Sequence, residues 1–305
     1  MTKTTSSDIH RSHHRRRLYG CTVMALLFAG VSIPILAGFF SMYALLYRPC
    51  NDDTTTPSDY GHAWEDVTLK IEGKPVQTFF IPGTNGATVI IPPPTNHSRG
   101  SRFGEANLLA QHGYAVLTFE SRCCADLEPL TLGYREAQDV RVALDYLLAR
   151  DDVDPARIGI LGFSSAGATS IMAAAQYPEI RAVVAEGGYG DFAENAVGMR
   201  GGNILTRLYK WSLGTSYHLF TGIDIDTLAP VDVIGKIAPR HVLLIYGSEE
   251  PSLTDGHRQL DAAGPNTDLW IVEGAHHGSY MQDAPDEFER RVIAFFDQAL
   301  LNEGQ

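Results

Sequence analysis

The pattern of apolar and polar positions changes along the chain and divides it into four parts. Residues 1–17 are polar and basic, whereas 18–47 form an uncharged and mostly apolar run. Residues 48–62 are rich in Thr, Asp, Pro and Ser, which is typical of a linker. From residue 63 to residue 305, short apolar runs alternate with longer amphipathic runs, a pattern that indicates strands and helices. The sequence therefore predicts a tail, an apolar helix, a linker and one folded domain.

The folded domain opens with a predicted hairpin, Trp64–Ile71 and Val76–Ile81, joined by the turn Glu72–Pro75. The strands predicted after it are Ala87–Ile91, Tyr114–Phe119, Ile158–Leu161, Ala182–Ala185, His241–Tyr246 and Leu269–Val272. The predicted helices are Phe103–Gln111, Tyr134–Arg150, Ser165–Tyr177, Thr254–Ala263 and Pro285–Leu301. Strands that alternate with helices predict an α/β fold with a mostly parallel, doubly wound sheet. The opening hairpin is expected to form an antiparallel edge of this sheet.

One long interval interrupts the alternation. An insertion at about residues 190–238 separates two predicted strands and contains several aromatic residues. Insertions of this length between strands commonly cover an active site, so we predict a helical cap here. The aromatic side chains would either line an apolar substrate pocket or pack the cap onto the domain.

The apolar run 18–47 is long enough to cross a bilayer, which needs about 20 residues. Arg15, Arg16 and Arg17 precede it, and only Arg48 follows closely. The positive-inside rule then predicts a single-pass membrane protein with a cytoplasmic N-terminus and an extracytoplasmic folded domain. A cleaved signal peptide is the alternative, but its apolar region is typically only about 7–15 residues long. We therefore expect an uncleaved signal anchor.

Charge and cysteine content exclude some functions. The net charge is −12, which argues against nucleic acid as a partner. The four cysteines show no C-x-x-C spacing, so we predict no metal site, and no motif calls for a cofactor. Cys123 and Cys124 are adjacent in a domain that is expected to be exported, where a disulfide and buried free thiols are equally compatible with the sequence. The oligomeric state is left open.

Ser164 lies between a predicted strand and a predicted helix, with Gly162 two residues before it and Ala166 two residues after it. Small residues at these positions permit the tight turn of a nucleophile elbow, which lifts a serine hydroxyl clear of the sheet. The alternative is an ordinary turn capped by Ser164 or Ser165. In the catalytic interpretation, the backbone N–H of Ser165 at the start of the helix supplies one oxyanion donor.

Two later loops contain the partners that a serine nucleophile needs. Gly247–Pro251 follows one strand and contains two glutamates, and Glu273–Gly278 follows the last strand and contains His276 and His277. Both loops emerge at the carboxyl ends of strands, the edge where ligands bind in open α/β sheets. The order serine, acid, histidine is the order in which this architecture supplies nucleophile, orienting acid and base.

Several segments resemble the α/β-hydrolase superfamily, near its bacterial esterase, dienelactone-hydrolase and prolyl-oligopeptidase-like branch. The resemblance covers roughly Trp64–Leu301. Its best segments are Gly-Tyr-Arg-Glu-Ala-Gln-Asp-Val (133–140), Val-Asp-Pro-Ala-Arg-Ile-Gly (153–159) and Gly-Phe-Ser-Ser-Ala-Gly (162–167). It implies the α/β-hydrolase fold and a catalytic triad.

Carried over to this sequence, the resemblance implies Ser164 as nucleophile and His277, in the family's G-A-x-H, as base. The family acid usually falls three residues after the glycine that ends its strand, which is Glu250 here. Because that acid is usually Asp, other carboxylates remain alternatives. These are Glu249, Asp255 and Asp191.

The stretch after the third strand departs from the family pattern. The family normally has His-Gly and a further residue there, whose N–H forms half of the oxyanion hole. This chain reads Pro92-Pro93-Pro94-Thr95-Asn96. Because proline has no N–H, the second donor must come from Thr95 or Asn96, or from a side chain. We assign it to Thr95.

The sequence thus predicts a membrane-anchored serine hydrolase that cleaves an ester, thioester or amide of a small molecule through an acyl-enzyme on Ser164. An esterase is favoured over a peptidase because nothing in the sequence marks a site for a peptide terminus. Two alternatives stay open. One is a catalytically impaired binding protein of the same fold, tethered at the membrane, and the other is an acyltransferase.

Overall fold

A computed structural model describes residues 6–195 and 203–302. It contains eight strands in one sheet. They are β1 (Glu65–Ile71), β2 (Lys74–Ile81), β3 (Thr88–Ile91), β4 (Ala115–Phe119), β5 (Ile158–Phe163), β6 (Ile180–Glu186), β7 (His241–Gly247) and β8 (Thr267–Val272). The strand order across the sheet is β1-β2-β4-β3-β5-β6-β7-β8.

The sheet is parallel except at its N-terminal edge. β1 pairs with β2, and β2 pairs with β4, in antiparallel fashion, while the remaining pairs are parallel. Every residue of β3 and of β4 is buried. Both strands are therefore continuous apolar runs, as expected where helices cover both faces of a parallel sheet. The predicted α/β class, mostly parallel sheet and antiparallel edge hairpin are confirmed.

The helices cover both faces of the sheet. They are α1 (Ser6–Leu46), α2 (Phe103–Gln111), α3 (Tyr134–Leu148), α4 (Ser165–Gln176), α5 (Phe192–Asn195), α6 (Ile204–Thr221), α7 (Pro230–Val233), α8 (Leu253–Ala262), α9 (Tyr280–Asp283) and α10 (Pro285–Phe296). One apolar core contains side chains of α3 and α4, and a second contains side chains of α2 and α10. The helix predicted at Pro285–Leu301 is α-helical to Phe296 and continues as a π turn. The sheet is therefore doubly wound.

The predicted cap region contains the helices α5, α6 and α7, and its residues 196–202 lie outside the described residues. α6 begins after Asn203, whose side-chain oxygen accepts the N–H groups of Leu205 and Thr206. Tyr217 is fully buried, and its hydroxyl donates to the carbonyl of Thr131 at 2.9 Å. This aromatic residue packs the cap onto the domain, which is one of the two roles expected for such residues.

α1 includes the stretch Tyr19–Leu46, 28 residues with a mean hydropathy of 2.3, which is long and apolar enough to cross a membrane. A signal sequence has a similar composition. The C-terminal end of α1 packs against α6, where Met42 and Leu46 are fully buried. The apolar helix and the cap are therefore in direct contact.

The segment after α1, predicted as a linker, lies against the folded domain. A disulfide joins Cys50 to Cys124, a pairing that the sequence left open. The N–H of Asn51 donates to the carbonyl of Asn96 at 2.7 Å. Cys123 is a buried free thiol and Cys21 an exposed one.

Candidate active site

Ser164 lies on the turn between β5 and α4 with φ 56° and ψ −121°. A positive φ is strained for a residue with a side chain, and strain of this kind is concentrated at functional sites. Gly162 permits the turn, because a Cβ there would lie 2.2 Å from the carbonyl oxygen of Ala166. The turn has the geometry of a nucleophile elbow.

Of the three residues that the resemblance selected, His277 lies within hydrogen-bonding distance of both Ser164 and Glu250. His277 Nε2 is 3.0 Å from Ser164 Oγ, and His277 Nδ1 is 2.8 Å from Glu250 Oε2. The Glu250 side chain is completely buried, whereas 42% of the His277 side chain is exposed. The histidine thus bridges a buried carboxylate and a hydroxyl at the surface of the site.

Two further groups hold the Glu250 carboxylate. The N–H of Gly247 donates to Oε1 at 3.0 Å, and the hydroxyl of Tyr280 donates to Oε2 at 2.8 Å. Burial and the nearby charge of Glu250 raise the pKa of Tyr280 well above its ordinary value, so this phenol remains a donor. Tyr280 was not among the predicted site residues, although it follows His277 by only three positions in the sequence.

The alternative acids lie elsewhere. Glu249 is exposed on the same turn as Glu250. Asp191 accepts the N–H of Glu194 at 3.0 Å, and Asp255 is buried against Gly190. His276 is exposed, and its N–H donates to Ser279 Oγ at 3.0 Å. The structure brings Glu250 and His277, rather than these neighbours, to Ser164.

The two predicted oxyanion residues also lie together, and they hydrogen-bond to each other. The N–H of Thr95 donates to Ser165 Oγ at 2.9 Å, and the hydroxyl of Thr95 donates to the same oxygen at 2.7 Å. The N–H of Ser165 belongs to the first turn of α4. The Thr95 N–H is therefore beside the nucleophile turn, with the Ser165 hydroxyl as its acceptor.

The loop that carries Thr95 is held by the segment that follows α1. Besides the bond from Asn51 to the Asn96 carbonyl, the Asn96 side-chain amide donates to the carbonyl of Pro49 at 3.0 Å. The N–H of Ser98 donates to the carbonyl of Asn51 at 3.2 Å. The disulfide at Cys50 lies between these contacts in sequence. The position of the loop thus depends on residues that precede the predicted domain.

A buried ion pair lies behind the nucleophile turn. The Phe163 ring is 4.8 Å from the His277 ring, and the Arg102 guanidinium lies 4.3 Å above the Phe163 ring. Arg102 pairs with Glu186 at 3.1 Å and also with Glu105. Burial raises the pKa of Glu186, while Arg102 opposes that shift. The sequence signal for this pair was Glu186, a charged residue at the end of the apolar strand β6.

Thr95 also lines a small cavity, together with Ser165, Arg122 and Asp139 among others. Arg122 pairs with Asp139 at 2.7 Å, and burial nevertheless raises the pKa of Asp139 to about 7. Among residues 6–195 and 203–302 there is no group of three or more His, Cys, Asp or Glu side chains placed to hold a metal ion.

The class of the protein follows from where these residues lie in the sheet. A serine on the turn after β5, an acid after β7 and a histidine after β8 have the chain order of α/β hydrolases, and the strand order is that of the same fold. The chain belongs to the α/β-hydrolase superfamily. Within that superfamily, the model of the X-Pro dipeptidyl-peptidase (S15) family matches residues 42–279. The chain therefore belongs to this family.

Curated relatives include cutinases. Cutinase 2 of Thermobifida cellulosilytica is 24% identical over 192 residues, which cover 59% of this chain and 60% of that protein. Cutinase cut1 of Thermobifida fusca is 24% identical over 192 residues, 59% of this chain and 49% of that protein. The chain thus matches only about half to three fifths of the length of these relatives.

Solved structures share the fold. The Pyrococcus furiosus esterase Pf2001 superposes with a TM-score of 0.65 at 22% identity, covering 84% of this chain and 98% of that chain. Dipeptidyl peptidase 4 of Porphyromonas gingivalis superposes with a TM-score of 0.57 at 16% identity, covering 78% of this chain and 36% of that chain. Both similarities concern the fold.

Proposed function

We propose that the protein is a membrane-anchored esterase in which Ser164 is the nucleophile, His277 the general base and Glu250 the acid that orients the base. The observation that supports this most directly is the pair of hydrogen bonds that links the three side chains, at 3.0 and 2.8 Å. A serine hydroxyl is a weak nucleophile until a base accepts its proton, and the base needs a third group to fix its tautomer.

The reaction proceeds in two halves. Ser164 Oγ attacks the ester carbonyl while its proton moves to His277 Nε2, and the imidazolium then protonates the departing alcohol. This leaves an acyl group on Ser164. His277 next takes a proton from a water molecule, the hydroxide attacks the acyl carbonyl, and the proton returns to Ser164 as the acid is released. Throughout, the Glu250 carboxylate accepts a hydrogen bond from Nδ1–H without taking the proton, and it stabilises the imidazolium.

The negative charge that develops on the carbonyl oxygen of the substrate, the oxyanion, needs hydrogen-bond donors. The N–H of Ser165 supplies one, favoured by the N-terminal end of α4. We assign the second to the N–H of Thr95, which exchanges its present acceptor, the Ser165 hydroxyl, for the oxyanion when substrate binds. Loss of one such donor typically lowers turnover by about 10²–10³-fold.

Esters are the preferred substrate class because the curated relatives are cutinases. An X-Pro peptidase is a second candidate, supported by the family match over residues 42–279. For the anchor, the apolar stretch of α1 supports a single span with a cytoplasmic N-terminus. The disulfide at Cys50 suits an extracytoplasmic domain, because disulfides persist in oxidising compartments.

The test uses the full chain in detergent or vesicles. A fluorophosphonate probe should label the parent and leave Ser164→Ala unlabelled, and only the parent should hydrolyse p-nitrophenyl butyrate. Alanyl-prolyl p-nitroanilide tests the peptidase candidate in the same assay, and an added alcohol acceptor tests acyl transfer. Equal ester hydrolysis by parent and Ser164→Ala would refute the mechanism, and absence of labelling would favour a binding protein.

A further inference from the structure

The cap helix α6 exposes a stripe of large apolar side chains. Ile204, Trp211 and Leu219 are 64%, 60% and 70% exposed, and helical spacing puts them on one side of the helix. On the opposite side, Leu213 and Tyr217 are buried. A surface helix usually presents polar residues to water, so an apolar outer stripe indicates a contact with something apolar.

α6 packs directly on the C-terminal part of α1. The Ser212 hydroxyl donates to the carbonyl of Ile35 at 2.6 Å, and a Cβ on Gly38 would lie 2.8 Å from Ser212 Cβ. Further along, the Phe220 ring contacts the rings of Phe39 and Tyr43 at 5.2 and 5.8 Å. The small residues let the two helices approach closely, so the depth of α1 in a membrane would fix the position of α6.

The length of α1 determines how near α6 comes to the bilayer. From Tyr19 to Ile35, whose carbonyl accepts the Ser212 hydroxyl, a helix rises about 24 Å at 1.5 Å per residue. The hydrocarbon core of a bilayer is about 30 Å thick and needs about 20 residues. A span that starts at Tyr19 therefore ends close to Gly38, the residue packed against Ser212. Ser212 faces Ile35 and Gly38, and Phe220 faces Phe39 and Tyr43, so α6 runs in the same direction as α1. The first half of α6 therefore lies beside the end of the span, and its second half lies beyond it.

We propose that α6 enters the bilayer that α1 spans, so that Trp211 on its apolar stripe lies at the boundary between headgroups and acyl chains and Ile204 faces the acyl chains. The inference rests on the anchoring role given to α1 under the proposed function. Trp211 on α6 and Tyr43 on α1, which is 48% exposed, are residue types enriched at this boundary. α1 also exposes large apolar side chains, among them Val31, Leu36 and Phe40.

Trp211 provides the test. The chain has three tryptophans. Trp64 is half-buried with its Nε1 donating to Ser58 Oγ at 2.8 Å, and Trp270 is only 8% exposed. The full chain is reconstituted into phosphatidylcholine vesicles with or without brominated acyl chains, and tryptophan emission is compared. Bromolipid should quench part of the emission of the parent and of Trp64→Phe, and this quenched part should be lost in Trp211→Phe.

Three outcomes would overturn the proposal. Quenching of Trp211 by aqueous iodide instead of bromolipid would put the stripe in water. Protection from both quenchers would mean that protein, such as a second copy of the chain, covers it. Release of the chain from vesicles by alkaline carbonate would refute the anchor and this inference together. Ser164→Ala should lose ester hydrolysis and keep the bromolipid quenching. The experiment therefore distinguishes an error in the catalytic assignment from an error in the proposed membrane contact of α6.

Discussion

Glu250→Gln is the sharpest test of the catalytic assignment, because the hydrogen bonds around this residue determine what the amide must do. Oε1 accepts the N–H of Gly247, so the amide oxygen of a glutamine is required at that position. The amide nitrogen then takes the place of Oε2, next to His277 Nδ1 and the Tyr280 hydroxyl. An NH₂ group can only donate to Nδ1. The histidine is then forced into the tautomer that carries its proton on Nε2, where it cannot accept the proton of Ser164.

The expected loss follows from charge and tautomer together. Unit charges about 4 Å apart at an effective dielectric of about 20 attract by about 4 kcal/mol, and this attraction to the imidazolium disappears in the variant. At about 1.4 kcal/mol per tenfold in rate, the charge alone accounts for about 10³. The wrong tautomer lowers the rate further, so kcat should fall by about 10³–10⁴-fold, as for the corresponding change in a serine protease.

The assay is steady-state hydrolysis of p-nitrophenyl butyrate, with folding checked by circular dichroism. Glu249→Gln is the matched control, because it makes the same change one residue away on an exposed side chain, and its kcat should stay within about twofold of the parent, the size of a surface effect. A Glu250→Gln enzyme that keeps more than a tenth of the parental kcat would refute the role of Glu250. An equal loss in Glu249→Gln would do the same.

Three further predictions test other parts of the structure. Ser165→Ala removes the hydroxyl that accepts the N–H of Thr95. Because the N–H no longer has to give up this hydrogen bond, kcat should rise by up to about tenfold, which corresponds to the free energy of one hydrogen bond. A tenfold fall of kcat in the ester assay would contradict this. The disulfide has a sequence separation of 74, so replacing Cys50 and Cys124 by alanine should lower the free energy of unfolding by about 4 kcal/mol. Cys123→Ala, which keeps the disulfide, should cost about 1 kcal/mol in the same denaturant titration, and equal losses would argue against the pairing. Burial raises the pKa of Asp139 to about 7, above the value of about 3.9 in an unfolded chain. Between about pH 3.9 and about pH 7 the folded parent binds one proton more than the unfolded chain, so the free energy of unfolding of the parent falls as pH rises. Asp139→Asn lacks this proton. Its free energy of unfolding should therefore rise relative to that of the parent by about 1.4 kcal/mol per pH unit over this range. A pH-independent difference in unfolding free energy would refute that shift.

The sheet was predictable because its signals are local. Strands such as Ile158–Phe163 are short apolar runs bounded by polar turns, and their length and spacing indicate a parallel sheet without knowledge of any contact. Gly162, two residues before Ser164, indicated the nucleophile elbow, because only a residue without a Cβ fits there. The strand order then follows from the fold class, and it brings the loops of Glu250 and His277 to one edge.

The features that the sequence did not predict depend on contacts between distant segments. Nothing near Cys50 indicates Cys124 as its partner, and nothing near Ser212 indicates that it donates to the carbonyl of Ile35. The acceptor of the Thr95 N–H is a side chain 70 residues away. Such contacts follow from how the elements pack, which periodicity and motif spacing do not encode.

The segment after α1 joins this helix to the loop that carries Thr95. The N–H of Leu130 donates to the carbonyl of Leu46 at 3.0 Å, so the end of α1 is bonded to the domain. A few residues later the disulfide and the bonds between Asn51 and Asn96 hold the loop that carries Thr95. Each of these contacts limits how far the loop can move away from Ser165. The Thr95 N–H is the proposed second oxyanion donor, and a donor misplaced by about 1 Å loses much of its effect. The geometry of the proposed site therefore depends on residues 46–51 as well as on the sheet.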